Sequence, residues 1–361
     1  MSNHTIAHID LSALKHNLAQ IKSKAPQTNI LAMIKSNAYG HGAEIVAKTL
    51  ESEAQAFGVI FLSEALKLKN TGIEKRIVIL TGFLDQEELK NIDEFGFETV
   101  IHNFEQLEIL EKTKLKKPLH VWLKIDTGMH RLGFQPKDVA SVYAKLAANN
   151  MIVKPLLLMT HFSDADNIDC PKTQEQLVCF KKITANFEGS KCLANSSAII
   201  NWPNAHADFI RPGIMLYGVS PIENKTGLDF GLKPVMTLVS RVIAIHHLHK
   251  GDTIGYGGTW KCPEDMPVGI VSIGYGDGYP RSAESGTPVL INESRCQLIG
   301  RVAMDMITID LRNAPNAKVG DKATLWGNGL PAEEIAKCAG TIPYELFCRL
   351  TSRVVFNSSI K

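Results

Sequence analysis

The sequence predicts an α/β protein in which an N-terminal (β/α)8 TIM-like barrel is followed by a mainly β C-terminal domain. Between Leu11 and Met215, eight short apolar segments alternate with segments of helical composition, which is the pattern of parallel βα units. After Lys233-Pro234 the apolar segments follow one another without helices between them, which indicates a β-rich domain. Eight βα units in about 200 residues fit a barrel. A doubly wound open sheet is the main alternative fold.

Each element of the barrel is predicted from a local apolar run or a helical pattern. The predicted strands are Ile30–Ile34, Phe57–Phe61, Ile77–Leu80, Thr99–Ile101, Leu119–Ile125, Pro155–Met159, Lys191–Leu193 and Phe209–Leu216. The predicted helices between them include Leu11–Lys24, Ala43–Ser52, Glu105–Lys112, Pro136–Ala148 and Thr173–Asn186.

The second domain is predicted in the same way. Its expected strands are Val235–Leu248, Val268–Ile273, Pro288–Ile291, Cys296–Val302, Met306–Leu311 and Lys322–Trp326, followed by a helix at Pro331–Ala339 and a helical segment that carries Cys348. We therefore divide the chain into residues 1–232 and 233–361, and leave open whether residues 1–9 join the second domain.

Composition excludes several classes of function. The net charge of +2 and the lack of basic clusters argue against nucleic acid as a partner. No run approaches the roughly 18 apolar residues of a membrane span, and the N-terminus lacks the apolar core of a signal peptide. The seven cysteines form no CxxC pair, which predicts a reducing cytoplasm and no zinc site. The run from His246 to His249 fits a solvated strand face better than a metal site, which normally needs three or four ligands.

Polar residues follow the predicted barrel strands, where the chemistry of such barrels takes place. Lys35 follows the first strand, Arg131 the fifth, His161 the sixth, Ser196 the seventh and Arg211 the eighth. We expect these side chains to meet at one mouth of the barrel. Partial burial of Lys35 would free its amine for Schiff-base chemistry. The alternative is a surface lysine that begins a loop.

The motifs around these residues resemble those of the alanine racemase family along the whole chain. The segment from Ala32 to Gly42, AMIKSNAYGHG, is similar to that family's pyridoxal 5'-phosphate (PLP) attachment segment. The other similar motifs are 124–133, 160–162, 194–196, 211–218, 255–257, 274–278, 300–305 and 341–345. The resemblance implies a PLP-dependent isomerase that interconverts L-alanine and D-alanine by two-base α-proton exchange on the external aldimine of PLP.

The resemblance also assigns the cofactor-binding residues. Lys35 holds PLP, His161 stacks on its ring, and Arg211 faces the pyridine nitrogen. Because an arginine keeps its proton, it leaves that nitrogen unprotonated and limits side reactions. The implied phosphate-binding residues are Tyr39, Ser196, Tyr344 and the amides of Gly213 and Ile214. Tyr39 is four residues from Lys35, whereas Tyr344 alone would read as a packing tyrosine.

The resemblance implies that Lys35 and Tyr256 are the two catalytic bases, with Tyr256 supplied across a homodimer interface. Arg131 and Met304 are implied to contact the substrate. Lys124 is either carbamylated or paired with Asp126. The implied substrate entrance consists of Asp166, Tyr275, Arg281, Arg301 and Ile342. Ala303 departs from the family pattern, since some members carry a larger residue there.

Two other functions remain to be weighed against a racemase. A basic amino-acid decarboxylase of similar architecture would need a protonated ring nitrogen, which Arg211 disfavours. A PLP carrier protein would resemble the barrel alone and would not need a second domain with Tyr256. The resemblance leaves open whether the enzyme supplies D-alanine for peptidoglycan or degrades D-alanine, and whether serine is also a substrate.

Overall fold

The computed structural model describes residues 4–359 and confirms the predicted fold class. Eight parallel strands form a closed barrel, and a mostly antiparallel sheet forms the second domain. The barrel strands are β2 (Asn29–Met33), β3 (Ala56–Val59), β4 (Arg76–Ile79), β5 (Glu98–Ile101), β6 (Val121–Lys124), β7 (Leu157–Met159), β8 (Lys191–Asn195) and β9 (Phe209–Arg211); they are preceded by β1 (Ile6–Asp10). The helices are α1 (Leu11–Lys24), α2 (Lys35–Tyr39), α3 (Ala43–Leu50), α4 (Leu62–Asn70), α5 (Gln86–Phe95), α6 (Phe104–Lys112), α7 (Val139–Ala148), α8 (Lys172–Ile183) and α9 (Ser196–Asn201).

The second domain is built on an eight-stranded sheet in the order β13-β16-β15-β14-β17-β10-β1-β18. Its elements are β10 (Met236–Leu248), β11 (Thr253–Ile254), β12 (Trp260–Lys261), β13 (Met266–Val271), β14 (Pro288–Ile291), β15 (Ser294–Leu298), β16 (Ile307–Asp310), β17 (Lys322–Trp326), α10 (Ala332–Cys338), α11 (Pro343–Cys348) and β18 (Val355–Ser359). Strand β1 pairs antiparallel with β10 and parallel with β18, so the first strand of the chain lies in the sheet of the second domain.

The first helix of the barrel shows how local sequence sets an element. Asp10 caps α1 because its Oδ1 accepts hydrogen bonds from the backbone N–H groups of Ser12 and Ala13, both at 2.9 Å. The apolar residues Leu14, Leu18 and Ile21 recur at helical spacing and are fully buried. The helix ends after Lys24, where Ala25 leaves the helical conformation.

Two predicted strands extend well past the observed ones. Cys296–Val302 is the first, since β15 ends at Leu298. The segment Phe209–Leu216 was expected to be extended throughout, but β9 ends at Arg211 and a short 3-10 helix covers Ile214–Tyr217. Pro212 has no N–H group to donate to a neighbouring strand, and a short buried apolar run has no periodicity that separates strand from helix. The turn that results places Gly213 and Ile214 beside the end of the barrel.

The two ends of the barrel differ in chemistry. At the N-terminal end, the buried Glu98 accepts hydrogen bonds from Arg76 and from Trp122 Nε1, the latter at 2.7 Å. The Arg76 guanidinium lies 5.7 Å from the ring centre of Phe209. This closed network serves stability, which leaves the C-terminal end for function. No helix within residues 4–359 is both long enough and apolar enough to cross a bilayer.

Candidate active site

A cavity of about 530 Å³ lies at the C-terminal ends of the barrel strands. Its volume is within the range of small-molecule sites. It brings together ten residues that the sequence predicted for the site: Lys35, Tyr39, Lys124, Arg131, His161, Ser196, Arg211, Gly213, Ile214 and Tyr344. Nine of them come from the barrel, and α11 of the second domain contributes Tyr344.

Lys35 stands at the start of an unusual backbone segment. The four residues that follow it, Ser36 to Tyr39, all have φ between 51° and 55°, although none of them is glycine. Such left-handed residues are disfavoured by their Cβ atoms and occur where surrounding contacts hold them. The turn returns Tyr39 to the cavity beside Lys35.

Four cationic side chains meet in the cavity without a carboxylate among them. Lys35, Lys124, Arg131 and Arg211 all line it, and within the described part of the chain none of the four has a carboxylate partner within 4 Å. Burial, followed by the charges of Arg131 and Arg211, lowers the pKa of Lys35. The cavity is therefore suited to anionic ligands, and its lysines lose protons more readily than exposed lysines do.

Arg211 is held in place by several hydrogen bonds. Its Nη2 donates to Nδ1 of His161 at 2.9 Å and to the carbonyl of Thr160 at 3.0 Å. Its Nη1 donates to Sγ of Cys192 at 3.1 Å. Because these partners are neutral, the guanidinium keeps its full charge inside the barrel.

Hydroxyl groups gather on the side of the cavity next to the 3-10 helix. The hydroxyls of Tyr39 and Tyr344 have no hydrogen-bond partner among residues 4–359. Ser196 Oγ accepts from the amide of Gly213 at 2.9 Å and, at 3.5 Å, from that of Met215, which leaves its hydroxyl proton free to donate. The Gly213 amide, which the resemblance assigns to phosphate, is thus occupied by Ser196.

Gly213 is needed for this close approach. A Cβ atom at this position would lie 2.5 Å from Oη and 3.2 Å from Cζ of Tyr39. The absent side chain leaves the space in which the Tyr39 hydroxyl sits. Three free hydroxyl donors around a glycine are what a phosphate dianion requires.

Lys124 is not paired with Asp126. The buried Asp126 carboxylate accepts from the amides of Gly128 and His130, from His130 Nδ1 and from Gln135 Nε2, at 3.0 to 3.1 Å. Burial, and then the charges of Arg211 and Arg131, lowers the pKa of Lys124 to about 8. A substantial fraction of this amine is therefore neutral near pH 8.

Tyr256 and Met304 do not line the cavity of their own chain. Tyr256 is 71% exposed on a loop of the second domain, between Gly255 and Gly257, which have φ of 69° and 75°. Met304 is 53% exposed. The backbone of Arg301 approaches Gly255, so the Tyr256 loop and the loop that carries Met304 are neighbours.

The residues predicted for the entrance are spread over both domains. Tyr275 donates its amide to the carbonyl of Ala303 at 3.0 Å, which places it beside Met304. Ile342 is exposed and precedes α11. Asp166 raises the pKa of Tyr344 through its charge, in addition to the larger effect of burial, which marks it as a neighbour of the cavity. Arg281 is exposed on the second domain.

Several cavity residues were not singled out from the sequence. Thr81, Asn195 and Cys348 line the cavity together with apolar residues such as Met33 and Leu80. Asn195 lies within a motif that was recognised, and Thr81 follows a predicted strand, so both had a local signal. Cys348 reaches the cavity through the packing of α11, which local sequence does not predict.

Asp265 lies 3.4 Å from His249, a contact between loops that the histidine run did not indicate.

Comparison with known proteins agrees with this geometry. Residues 9–221 match the family described as alanine racemase, N-terminal domain, and residues 235–357 match alanine racemase, C-terminal domain. An alanine racemase of Coxiella burnetii is 52% identical in an alignment of 359 residues that covers 98% of this chain and 98% of that one.

Two solved structures extend the comparison. The biosynthetic alanine racemase of Pseudomonas aeruginosa has a TM-score of 0.96 at 41% identity, over 99% of this chain and all of that one. Alanine racemase from Bartonella henselae, solved with covalently bound pyridoxal phosphate, has a TM-score of 0.88 at 26% identity over 99% of this chain and all of that one. The family resemblance of the sequence is thereby confirmed, and the chain belongs to the alanine racemase family.

Proposed function

We propose that this chain interconverts L-alanine and D-alanine with PLP as cofactor, using Lys35 and Tyr256 as its two bases. The observation that carries the proposal is the meeting of Lys35 with three other cations and three hydroxyl donors in one cavity. An amino acid bound to PLP carries a phosphate and a carboxylate, and these cations are suited to both anions.

The residues present fit PLP. Tyr39, Tyr344 and Ser196 would hold the phosphate, His161 would lie against the ring, and Arg211 would face the ring nitrogen. When bound, PLP supplies the electron sink that makes the α-proton of the amino acid acidic. Arg211 would weaken this electron sink, because it does not give its proton to the ring nitrogen. The hydrogen-bond partners of its guanidinium, Cys192 and His161, are neutral.

Lys35 acts on one face of the substrate. Its amine has no hydrogen-bond partner in the described chain, and burial together with Arg131 and Arg211 lowers its pKa. The amine would hold the cofactor, and in its free form it would take a proton from the α-carbon or return one.

We propose that a group from another chain serves the second face. Racemisation needs an acid or base on each side of the α-carbon. Within the cavity, Arg211 engages His161, and burial raises the pKa of Tyr39 and of Tyr344, the latter to about 12. Tyr256 is exposed on the second domain, so we propose that a homodimer carries it into the partner's cavity.

The substrate carboxylate is proposed to bind Arg131. This arginine lines the cavity, and its forked guanidinium suits a carboxylate. We propose that Lys124 is carbamylated, because a neutral amine attacks carbon dioxide and Lys124 has a pKa of about 8. The resulting anion would offset the charge of Arg131. Reaction of the protein with 13C-labelled carbon dioxide and 13C NMR of the product tests this step.

The function is tested by following alanine in deuterium oxide. Purified protein loaded with PLP should convert either enantiomer into the racemic mixture and place deuterium at the α-carbon of both. Borohydride reduction followed by peptide mapping should attach the cofactor to Lys35 alone. Release of carbon dioxide without D-alanine would favour a decarboxylase, and PLP binding without turnover would favour a carrier protein.

We also propose a cytoplasmic location, supported by the chain's cysteines. All seven are free thiols, and three of them, Cys192, Cys262 and Cys296, are buried. Free thiols persist in a reducing compartment. Fractionation of cells that express the chain, with a periplasmic marker as control, tests this proposal.

A further inference from the structure

We propose that His41 is a positioning residue that fixes the left-handed turn after Lys35 and ties it to helix α11 of the second domain. The proposal rests on the proposed function, because it concerns the placement of Lys35 and Tyr39 toward PLP. His41 itself lies outside the cavity lining and is fully buried.

The turn requires contacts that hold it. At its start, the Ser36 amide donates to Glu64 Oε1 at 2.6 Å. In its middle, Asn37 Oδ1 accepts from the Ala43 amide at 2.9 Å, at the beginning of α3. Left-handed conformations of four successive non-glycine residues do not persist without such contacts. The end of the turn, at Ala38 and Tyr39, is held by His41.

The His41 ring donates to both carbonyls at the end of the turn. Its Nδ1 lies 2.9 Å from the carbonyl oxygen of Tyr39 and 3.1 Å from that of Ala38. Carbonyl oxygens only accept, so Nδ1 must carry the proton. His41 Nε2 is buried and has no partner within the described residues. Burial, which outweighs the two hydrogen bonds, lowers the pKa of His41 to about 4, so the ring is neutral near pH 7.

The same ring contacts the strand before Lys35. His41 stacks on Tyr217, with ring centres 4.5 Å apart and planes at 28°. The Tyr217 hydroxyl donates to the carbonyl of Met33 at 2.9 Å, two residues before Lys35. Tyr217 also lies 5.0 Å from the ring of Tyr39. His41 therefore supports Lys35 from both sides, directly through the turn and indirectly through Tyr217.

The second domain closes this arrangement. The edge of the His41 ring meets Phe347 at 4.9 Å between centres. Phe347 belongs to α11, the helix that brings Tyr344 to within 5.8 Å of the ring of Tyr39. Gly40, at φ 79°, lets the Phe347 carbonyl pack directly on the turn. The two tyrosines proposed to bind phosphate are thus set by one histidine and its neighbours.

Three substitutions separate the donor from the ring. An Asn side chain places its amide nitrogen close to the position of Nδ1, whereas Gln places it near Nε2 and Phe keeps only the ring. We expect His41→Asn to bind PLP within about threefold of wild type. His41→Gln and His41→Phe should weaken PLP binding about tenfold or more, because each loses the hydrogen bond that Nδ1 shares between two carbonyls and that also orients the site. Titration of each unliganded variant with PLP, followed by absorbance, measures this without any turnover.

A second readout is the tautomer of His41 in the wild-type chain, which does not depend on PLP binding. 15N NMR of histidine-labelled protein at pH 7 should contain a signal from a neutral histidine protonated at Nδ1 that is missing from His41→Asn, which assigns it to His41. Equal PLP affinity in Asn, Gln and Phe variants, or a His41 signal protonated at Nε2, would overturn the proposal. A chain that binds PLP with this pattern but does not racemise alanine would refute the proposed function and leave the role of His41 intact.

Discussion

Arg211 and His161 form a pair in which the arginine fixes the protonation of the histidine. Nη2 of Arg211 lies 2.9 Å from Nδ1 of His161. A guanidinium has no acceptor, so His161 must accept at Nδ1 and carry its proton at Nε2. Burial, and then the charge of Arg211, lowers the pKa of His161 well below its usual range. A neutral ring is thereby held against the space proposed for the cofactor.

Removal of the charge from Arg211 should therefore change His161. In Arg211→Gln we expect the pKa of His161 to rise, because the nearest cation is lost, whereas Arg211→Lys should change it less. The measurement is 15N NMR of labelled histidine between pH 5 and 8, in the range of an ordinary histidine. If His161 titrates identically in both variants and in wild type, its neutrality does not depend on Arg211.

Gly213 provides a test of the proposed phosphate site. In Gly213→Ala the new Cβ meets the Tyr39 hydroxyl at 2.5 Å, which displaces that donor. We expect PLP affinity to fall on the order of tenfold, about the value of one hydrogen bond to a charged group. Pyridoxal, which lacks the phosphate, is the matched control and should bind the variant and wild type alike. An equal loss for both ligands would place the phosphate elsewhere.

The buried histidines should make the unliganded protein sensitive to mild acid. The pKa of His41 is lowered to about 4, whereas an unfolded chain binds this proton near pH 6.5. Below pH 6.5 the unfolded state therefore binds more protons, and the free energy of unfolding falls until about pH 4.

The check is the urea midpoint at pH 7.5 and pH 5. His41→Asn should lose less of its midpoint across this interval than wild type, because it has no proton to take up on unfolding. His120→Asn, at an exposed position, is the control and should behave as wild type. An unchanged acid dependence in His41→Asn would show that His41 is already protonated, or solvated, in the folded chain.

Mixing two inactive chains tests the sharing of sites. Lys35→Ala removes the lysine of the cavity, and Tyr256→Phe removes the exposed phenol, so each homodimer should be inactive. A mixed dimer holds one site with both groups, which restores about a quarter of the wild-type sites at equal random mixing. Activity of co-refolded chains is compared with that of each chain refolded alone. No recovery despite mixed dimers, detected by mass spectrometry, would mean that Tyr256 serves its own chain or no site.

The sequence was most informative where structure is local. Lys35 directly follows a strand, and Arg211 ends another, so the rule that barrel chemistry lies at strand ends places both at one mouth. Tyr39 was expected near Lys35 from its spacing. The cavity contains all of these, while their roles in catalysis remain predictions.

What the sequence did not indicate depends on contacts between distant segments. The left-handed turn from Ser36 to Tyr39 contains no glycine, so the sequence gives no local signal for it. The turn is stabilised instead by hydrogen bonds with Glu64 and His41. Tyr344 was assigned to phosphate by the resemblance alone, and it reaches the cavity because α11 packs against Gly40. Tyr256 lies outside the cavity of its own chain, so no single chain completes the site that the motifs describe.

The exchange of each alanine enantiomer by Tyr256→Phe tests the two-base account most directly. In deuterium oxide, this variant should lose net racemisation by a factor on the order of 10² to 10⁴, typical of a positioned acid or base. It should still exchange the α-proton of one enantiomer through Lys35, and the resemblance implies that this enantiomer is D-alanine. NMR of the α-position after incubation with each pure enantiomer gives both rates. Exchange of D-alanine alone is the predicted result, and equal exchange of both enantiomers would contradict the role of Tyr256 as a base.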